Sequence, residues 1–261
     1  MKTRRALVTG GAIRLGRAMA LYLGSRGFDV AVHYNGSADK AAEVVAELEA
    51  MGRRAAALQA DLLDEEETQG LGPRAVEALG GPLSLLVNNA SIFEPDDIAT
   101  ATRQSWDRAI GSNLRAPFVL TQFLAGQAPE PSLDENGEPL AEALIVNMLD
   151  QRVRKLTPDF VSYTIAKMGL WAFTRTSAQG LAGRVRVNAI GPGPTMQGIR
   201  QREEHFRAQR SASITGRGAN PDDITHALGY LVDARAVTGQ LICVDGGQHL
   251  AWETPDVLGL E

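Results

Sequence analysis

Short, unbroken apolar runs rich in valine, alanine and leucine alternate with longer amphipathic stretches from one end of this chain to the other, and that order constrains the fold more than any other feature. The runs are Arg5–Thr9, Asp29–Tyr34, Arg54–Asp61, Leu83–Ala90, Ala143–Leu149, Val185–Pro192 and Leu241–Asp245. Because they are continuous, with no polar residue at every second position, they read as strands buried on both faces. Between them Gly16–Arg26, Ala38–Met51, Glu65–Leu79, Gln104–Ala125, Asp159–Leu181 and Pro221–Val232 carry helical spacing or helix-forming composition. Strand–helix alternation of this kind predicts an α/β fold: one doubly wound parallel sheet of about seven strands flanked by helices, in a single domain over residues 1–261.

No linker interrupts the pattern. Gly126–Glu142, rich in proline, glycine and acidic residues, is expected to be a surface loop inserted in that domain. The acidic run Asp64–Glu67 reads as a helix first turn, where carboxylates favour the dipole. Histidines 33, 205, 226 and 249 show no ligand spacing, so no metal is expected. A formal charge of −5 over 261 residues leaves no basic field for nucleic acid. Apolar stretches such as Leu85–Val87 and Leu144–Val146 are far too short to span a bilayer. The single cysteine, Cys243, and a basic start followed by only three apolar residues before Thr9 lead us to expect a soluble cytoplasmic protein.

The first strand runs into TGGAIRLG, Thr9 to Gly16, and directly on into a helix. Strand, glycine turn and helix N-terminus together form a phosphate site, because backbone N–H groups and the helix dipole point at the anion. Arg14 stands where the common G-x-G-x-x-G spacing places a glycine. The second strand ends His33-Tyr34-Asn35-Gly36-Ser37, without the carboxylate that would bind a ribose 2′-hydroxyl. Arg14 and Ser37 suit a 2′-phosphate instead, which makes NADPH the expected cofactor. Further on, SYTIAK sets Tyr163 and Lys167 four residues apart on one helical face, where the ammonium is expected to lower the phenol's pKa.

The glycine turn, the Asn88-Asn89-Ala90 segment, Asn113, the Tyr163–Lys167 pair and Pro192-Gly193 follow one another in the order of the short-chain dehydrogenase/reductase family, which the chain resembles over essentially its whole length. The resemblance implies a Rossmann-type oxidoreductase, usually a homotetramer, with Asn113, Tyr163 and Lys167 in its catalytic tetrad. It also implies a cofactor held by Gly10, Arg14, Leu15, Gly16, His33, Tyr34, Asn35, Ser37, Asp61, Leu62, Asn89, Ala90, Ser91, Lys167, Pro192 and Gly193. The fourth tetrad member is a serine thirteen residues before the tyrosine, and here that position is Asp150.

With Arg14 in the glycine turn, Phe93 after Asn88–Ser91 and the ending Val244–Leu250, the aspartate makes the chain similar to the pteridine reductases, including short-chain-type dihydromonapterin and dihydrofolate reductases. That likeness implies a pterin or folate substrate contacted by Arg14, Phe93, Asp150 and Tyr163. The residues suit a flat heterocycle: an aromatic face stacks, and a guanidinium offers planar donors. Asp150 is expected either to hold an amino-pyrimidine edge or, protonated through burial, to supply a proton. Two other readings stay open: a carbonyl reductase of the 3-oxoacyl type, and a silent NADPH-binding regulatory protein. The basic cluster Arg152, Arg154 and Lys155 is expected to be an ordinary solvated loop.

Overall fold

A computed structural model describes residues 4–198 and 201–253. In chain order the elements begin with β1 (Arg4–Val8), α1 (Arg14–Ser25), β2 (Phe28–Tyr34), α2 (Ala38–Ala50), β3 (Ala55–Gln59), α3 (Glu65–Leu79) and β4 (Leu85–Asn88). There follow α4 (Arg103–Ile110), α5 (Ala116–Gln127), β5 (Ser132–Leu133), β6 (Pro139–Leu140), β7 (Ala143–Met148) and α6 (Val161–Gly180). The last are β8 (Val185–Pro192), α7 (Glu203–Ser211), α8 (Pro221–Asp233) and β9 (Leu241–Val244).

Seven strands form one parallel sheet in the order β3-β2-β1-β4-β7-β8-β9, as the alternation predicts. Apolar side chains on one face pack with α1, α2 and α8 around Met19, Leu23, Val44 and Leu228, and those on the other with α3 and α5 around Leu71, Leu79 and Leu120. Burial on both faces is why the strands lack alternation. Two buried asparagines pair within the sheet. Asn88 lies opposite Asn147 in the β4–β7 register, donating to it at 2.8 Å, and Asn147 donates to Thr174 of α6 at 2.9 Å. β9 closes one edge and carries half-buried Cys243.

Three elements differ from the sequence reading. Gln104–Ala125 is not one helix: α4 and α5 are separated by a π-helical turn, Gly111–Arg115, that carries Asn113. Such turns re-aim side chains, and they recur at functional sites. Gly126–Glu142 contains a small hairpin, β5 with β6, closed through Gly137 at φ 78°, a left-handed conformation that glycine adopts at little cost. Helix α7 has no counterpart in the sequence reading, because none of its residues is buried and no apolar stripe marks it. The acidic run behaves as expected: Asp64 caps α3 by accepting from Glu67 N–H at 2.9 Å.

Candidate active site

The strand order reverses between β1 and β4, and open α/β sheets leave a crevice at that point, beyond the carboxyl ends of the strands. Thr9 knits the two ends together: its hydroxyl accepts from the N–H groups of Asn89 and Ala90 at 2.8 and 3.0 Å. Asn89 in turn donates to the carbonyls of Thr9 and Gly10 at 2.8 and 3.2 Å. Gly10 sits at φ 61°, and a Cβ on Gly16 would lie 1.9 Å from the Gly10 carbonyl oxygen, so the turn admits no side chain there. Beneath it, buried His33 accepts from Gly10 N–H at 3.0 Å and its other ring nitrogen meets the Ala60 carbonyl at 3.0 Å. One nitrogen accepting and the other donating requires neutral imidazole, and burial holds the His33 pKa down.

Helix α1 begins from this turn with no side-chain cap and no acidic residue in its first turn, which leaves its N-terminus suited to an anion. A cleft of about 520 Å³ opens above it. Room, glycine turn and the absence of a carboxylate after β2 fit a dinucleotide carrying a 2′-phosphate. Arg14 itself adopts φ 53°, and its guanidinium donates to the carbonyls of Met196 and Gln197 at 3.0 and 2.8 Å. The segment after β8 is thereby fastened over the turn.

On the other wall of the cleft, Tyr163 donates its hydroxyl to Asp150 Oδ2 at 3.0 Å, while Asp150 Oδ1 accepts from Arg152 N–H at 2.8 Å. Lys167, one helical turn on, donates to the Met148 carbonyl at 2.7 Å, with its Nζ 5.6 Å from the centre of the Tyr163 ring. The expectation that this lysine lowers the phenol's pKa is overturned. Burial first, and Asp150 second, push Tyr163 well above its ordinary value, against smaller opposing pulls from Arg152 and Ser91. Burial draws Lys167 down to about 8 although Asp150 pulls it up. A phenol so placed keeps its proton at neutral pH.

Phe93 stacks on Phe160 with ring centres 4.2 Å apart and planes 8° from parallel, and meets Tyr163 edge-on at 4.7 Å. The guanidinium of Arg152 lies over Phe160, and that of Arg154 over Trp171, so two of the three basic residues cover aromatic faces. Gly10, Arg14, Leu15, Gly16, His33, Tyr34, Asn35, Ser37, Asn89, Ala90, Ser91, Phe93, Asp150, Tyr163, Lys167, Pro192 and Gly193 all line the cleft. Asn113, Asp61 and Leu62 do not. Asn113 is fully buried and grips Ile92 through both backbone groups, at 3.0 and 2.9 Å, setting the loop that carries Phe93. Asp61 accepts from Leu63 N–H at 3.0 Å and donates its own N–H to Glu67 Oε2 at 2.6 Å, bracing the start of α3. Sequence reading missed Phe160, whose role depends on a left-handed backbone (φ 59°) that aims its ring at Phe93, and Phe206 of α7, which lines the cleft from an element with no apolar pattern. Among the described residues no cluster of metal-ligating side chains occurs, and no helix is long and apolar enough to cross a membrane.

A family model described as enoyl-(acyl carrier protein) reductase matches residues 11–249. This chain is a short-chain dehydrogenase/reductase. Among solved structures of that family it is similar to FolM alternative dihydrofolate reductase 1 from Brucella suis in complex with NADP, with 42% identity, 97% of this chain and 98% of that one covered, and a TM-score of 0.90. It is also similar to the angucycline C-6 ketoreductase LanV with bound NADP, at 32% identity over 95% of this chain and 96% of that one, with a TM-score of 0.85. By sequence it is 31% identical to 3-oxoacyl-(acyl-carrier-protein) reductase FabG of Staphylococcus aureus, over 95% of this chain and 99% of the relative.

Proposed function

We propose that this short-chain reductase uses NADPH to reduce a C=N bond of a pterin, converting a dihydropterin or dihydrofolate to its tetrahydro form. The observation that carries the reading is Asp150, a carboxylate, at the Tyr163 hydroxyl in place of the family's serine. An ionised carboxylate has no proton to offer a carbonyl oxygen, but it accepts well from the N–H edge of an amino-pyrimidine. The stacked Phe93 and Phe160 supply a flat wall beside it, and the likeness to FolM alternative dihydrofolate reductase 1 supports the same substrate class. The absence of a carboxylate at residues 33–37 supports NADPH over NADH, as do relatives crystallised with NADP.

When bound, the dinucleotide supplies the hydride. Tyr163 donates its phenolic proton to the ring nitrogen next to the carbon that receives it, so C=N becomes CH–NH. Asp150 orients the hydroxyl and holds the heterocycle's polar edge. The Lys167 ammonium, fixed by the Met148 carbonyl, offsets the charge left on the phenolate. Asn113 keeps the Phe93 loop in place. We further propose that the chain works in the cytoplasm as a homotetramer; half-exposed Trp106, Ile165 and Met168 on α4 and α6 are apolar surface that such an assembly would cover.

The resemblance to FabG supports the competing carbonyl reductase. One assay separates them: NADPH oxidation over a panel of dihydropterins, dihydrofolate and acetoacetyl thioesters. A dihydropterin or dihydrofolate is expected to be the best substrate, and Asp150→Ser to cut its reduction by about a hundredfold while any ketone reduction holds or rises. Better turnover of thioesters by the unaltered enzyme, or pterin turnover unchanged by Asp150→Ser, gives the site to a carbonyl. No oxidation with any substrate leaves the silent NADPH-binding protein.

A further inference from the structure

The first N–H groups of a helix need acceptors, and at α6, which carries Tyr163 and Lys167, the local sequence provides none. The N-cap is Phe160, whose side chain has no oxygen to accept a bond. Three N–H groups at this end turn to one distant residue. Asp96 accepts from Phe160 N–H and Val161 N–H at its carbonyl oxygen, at 2.6 and 3.4 Å, and from Ser162 N–H at Oδ1, at 3.2 Å. Its other carboxylate oxygen accepts the Ser105 hydroxyl at 3.2 Å, and Ser105 belongs to the capping box that begins α4. Asp96 is 8% exposed.

Asp96 lies three residues beyond Phe93, and Ser162 immediately precedes Tyr163. One side chain therefore joins the loop that presents the aromatic wall to the helix that presents the proton donor. The backbone carbonyl of the same residue, by accepting from the Phe160 and Val161 amides, also holds Phe160 in the left-handed conformation that brings its ring parallel to Phe93, a conformation costly for any residue with a Cβ. We propose that Asp96 is a positioning residue for the reaction: by capping α6 from the β4–α4 loop it fixes the Tyr163 hydroxyl relative to the Phe93–Phe160 wall. This rests on Tyr163 acting in a reductase, whichever substrate class the panel identifies.

The test compares Asp96→Ala with Asp96→Asn, well below either variant's melting temperature. Alanine removes the cap at Ser162 and the bond to Ser105; asparagine retains an amide oxygen for Ser162. Removing a cap of this kind corresponds to about a tenfold loss, so Asp96→Ala is expected to lower kcat/KM by about that factor, shared between a raised substrate KM and a lowered kcat. The NADPH Kd stays within about twofold, because the glycine turn is untouched, and Asp96→Asn recovers most of both losses. Amide hydrogen exchange supplies a readout independent of turnover: in Asp96→Ala, peptides covering residues 161–166 exchange faster while those covering 170–180 do not. Unchanged kcat and KM in Asp96→Ala overturn the proposal, even with a lowered melting temperature, and so does equal damage by asparagine. If the unaltered enzyme reduces nothing on the panel, the reductase reading falls on its own; unchanged exchange at residues 161–166 then overturns the cap as well.

Discussion

At the carboxyl ends of the strands the helices begin, and at the amino ends they finish, so the two rims of one sheet face opposite dipoles. The upper rim gathers the uncapped start of α1, the glycine turn and the Asp150–Tyr163–Lys167 group, with a cleft left between them. The lower rim, around a smaller cleft of about 320 Å³, is lined by arginines aimed at carbonyls. Arg4 donates to the carbonyl of Arg26 beyond α1, Arg5 to that of Leu79 at the end of α3 at 3.0 Å, and Arg186 to those of Leu231, Val232, Ala234 and Val237 around the end of α8 at 2.8 to 3.2 Å. Guanidinium is suited to such work because it carries five donors and keeps its charge; even buried Arg186, drawn down to about 10, is cationic at neutral pH. Chemistry thus collects where helix N-termini invite an anion, and stability where helix C-termini have been closed.

That division is open to direct attack from both sides. The largest effect is expected at the upper rim: Tyr163→Phe removes only the proton donor, so turnover falls on the order of a hundred- to ten-thousandfold with NADPH affinity and melting temperature unchanged. Titration of cofactor fluorescence alongside steady-state assay checks it, and near-normal turnover would move proton delivery to water relayed by Asp150. At the lower rim Arg186→Ala should do the reverse. Leaving several carbonyls without their donor costs about 3 kcal/mol in denaturant unfolding, while kcat at 25 °C holds. Loss of kcat with stability intact would show that the rims are not separate.

Smaller effects sharpen the picture of the upper rim. NADPH is expected to exceed NADH in kcat/KM by about tenfold, roughly 1.4 kcal/mol, through hydrogen bonds that only a 2′-phosphate accepts; equal use would remove Arg14 and Ser37 from that role. The pH profile probes Lys167. Its folded pKa, about 8, lies below its ordinary 10.5, so folded enzyme loses the ammonium as pH rises through 8 and kcat/KM declines there. Over the same window the unfolded chain still binds that proton, so this group's contribution to stability rises with pH even as activity falls. A profile flat through that range would detach the ammonium from the reaction.

How much of this was legible beforehand follows from what kind of contact made each part. The seven strands lie within a few residues of their apolar runs, because burial on both faces writes itself into local composition. Val185–Pro192 coincides at both ends. The glycine turn and Tyr163–Lys167 are likewise local spacings. What escaped was made by tertiary contact. The break at Gly111–Arg115 is announced locally only by Gly111-Ser112 and by Pro117 in the first turn of α5, and it is held by Asn113 reaching Ile92. The rise in the Tyr163 pKa depends on burial that no i, i+4 spacing reveals, and Asp96 gains its role only when a loop sixty-six positions away in sequence from Ser162 is folded against it.

Cys243, half-buried on the edge strand, offers a clock that needs no engineering. Burial, with Asp245 beside it, pushes its thiol up to about 11. At pH 7 about one molecule in ten thousand then carries the thiolate that reacts with alkylating reagents. In the unfolded chain the same thiol returns to its ordinary range and reacts far faster. Trapping by iodoacetamide, followed by mass, would therefore time the opening of the last strand in the unmodified protein, with every other residue silent because the chain has no second cysteine.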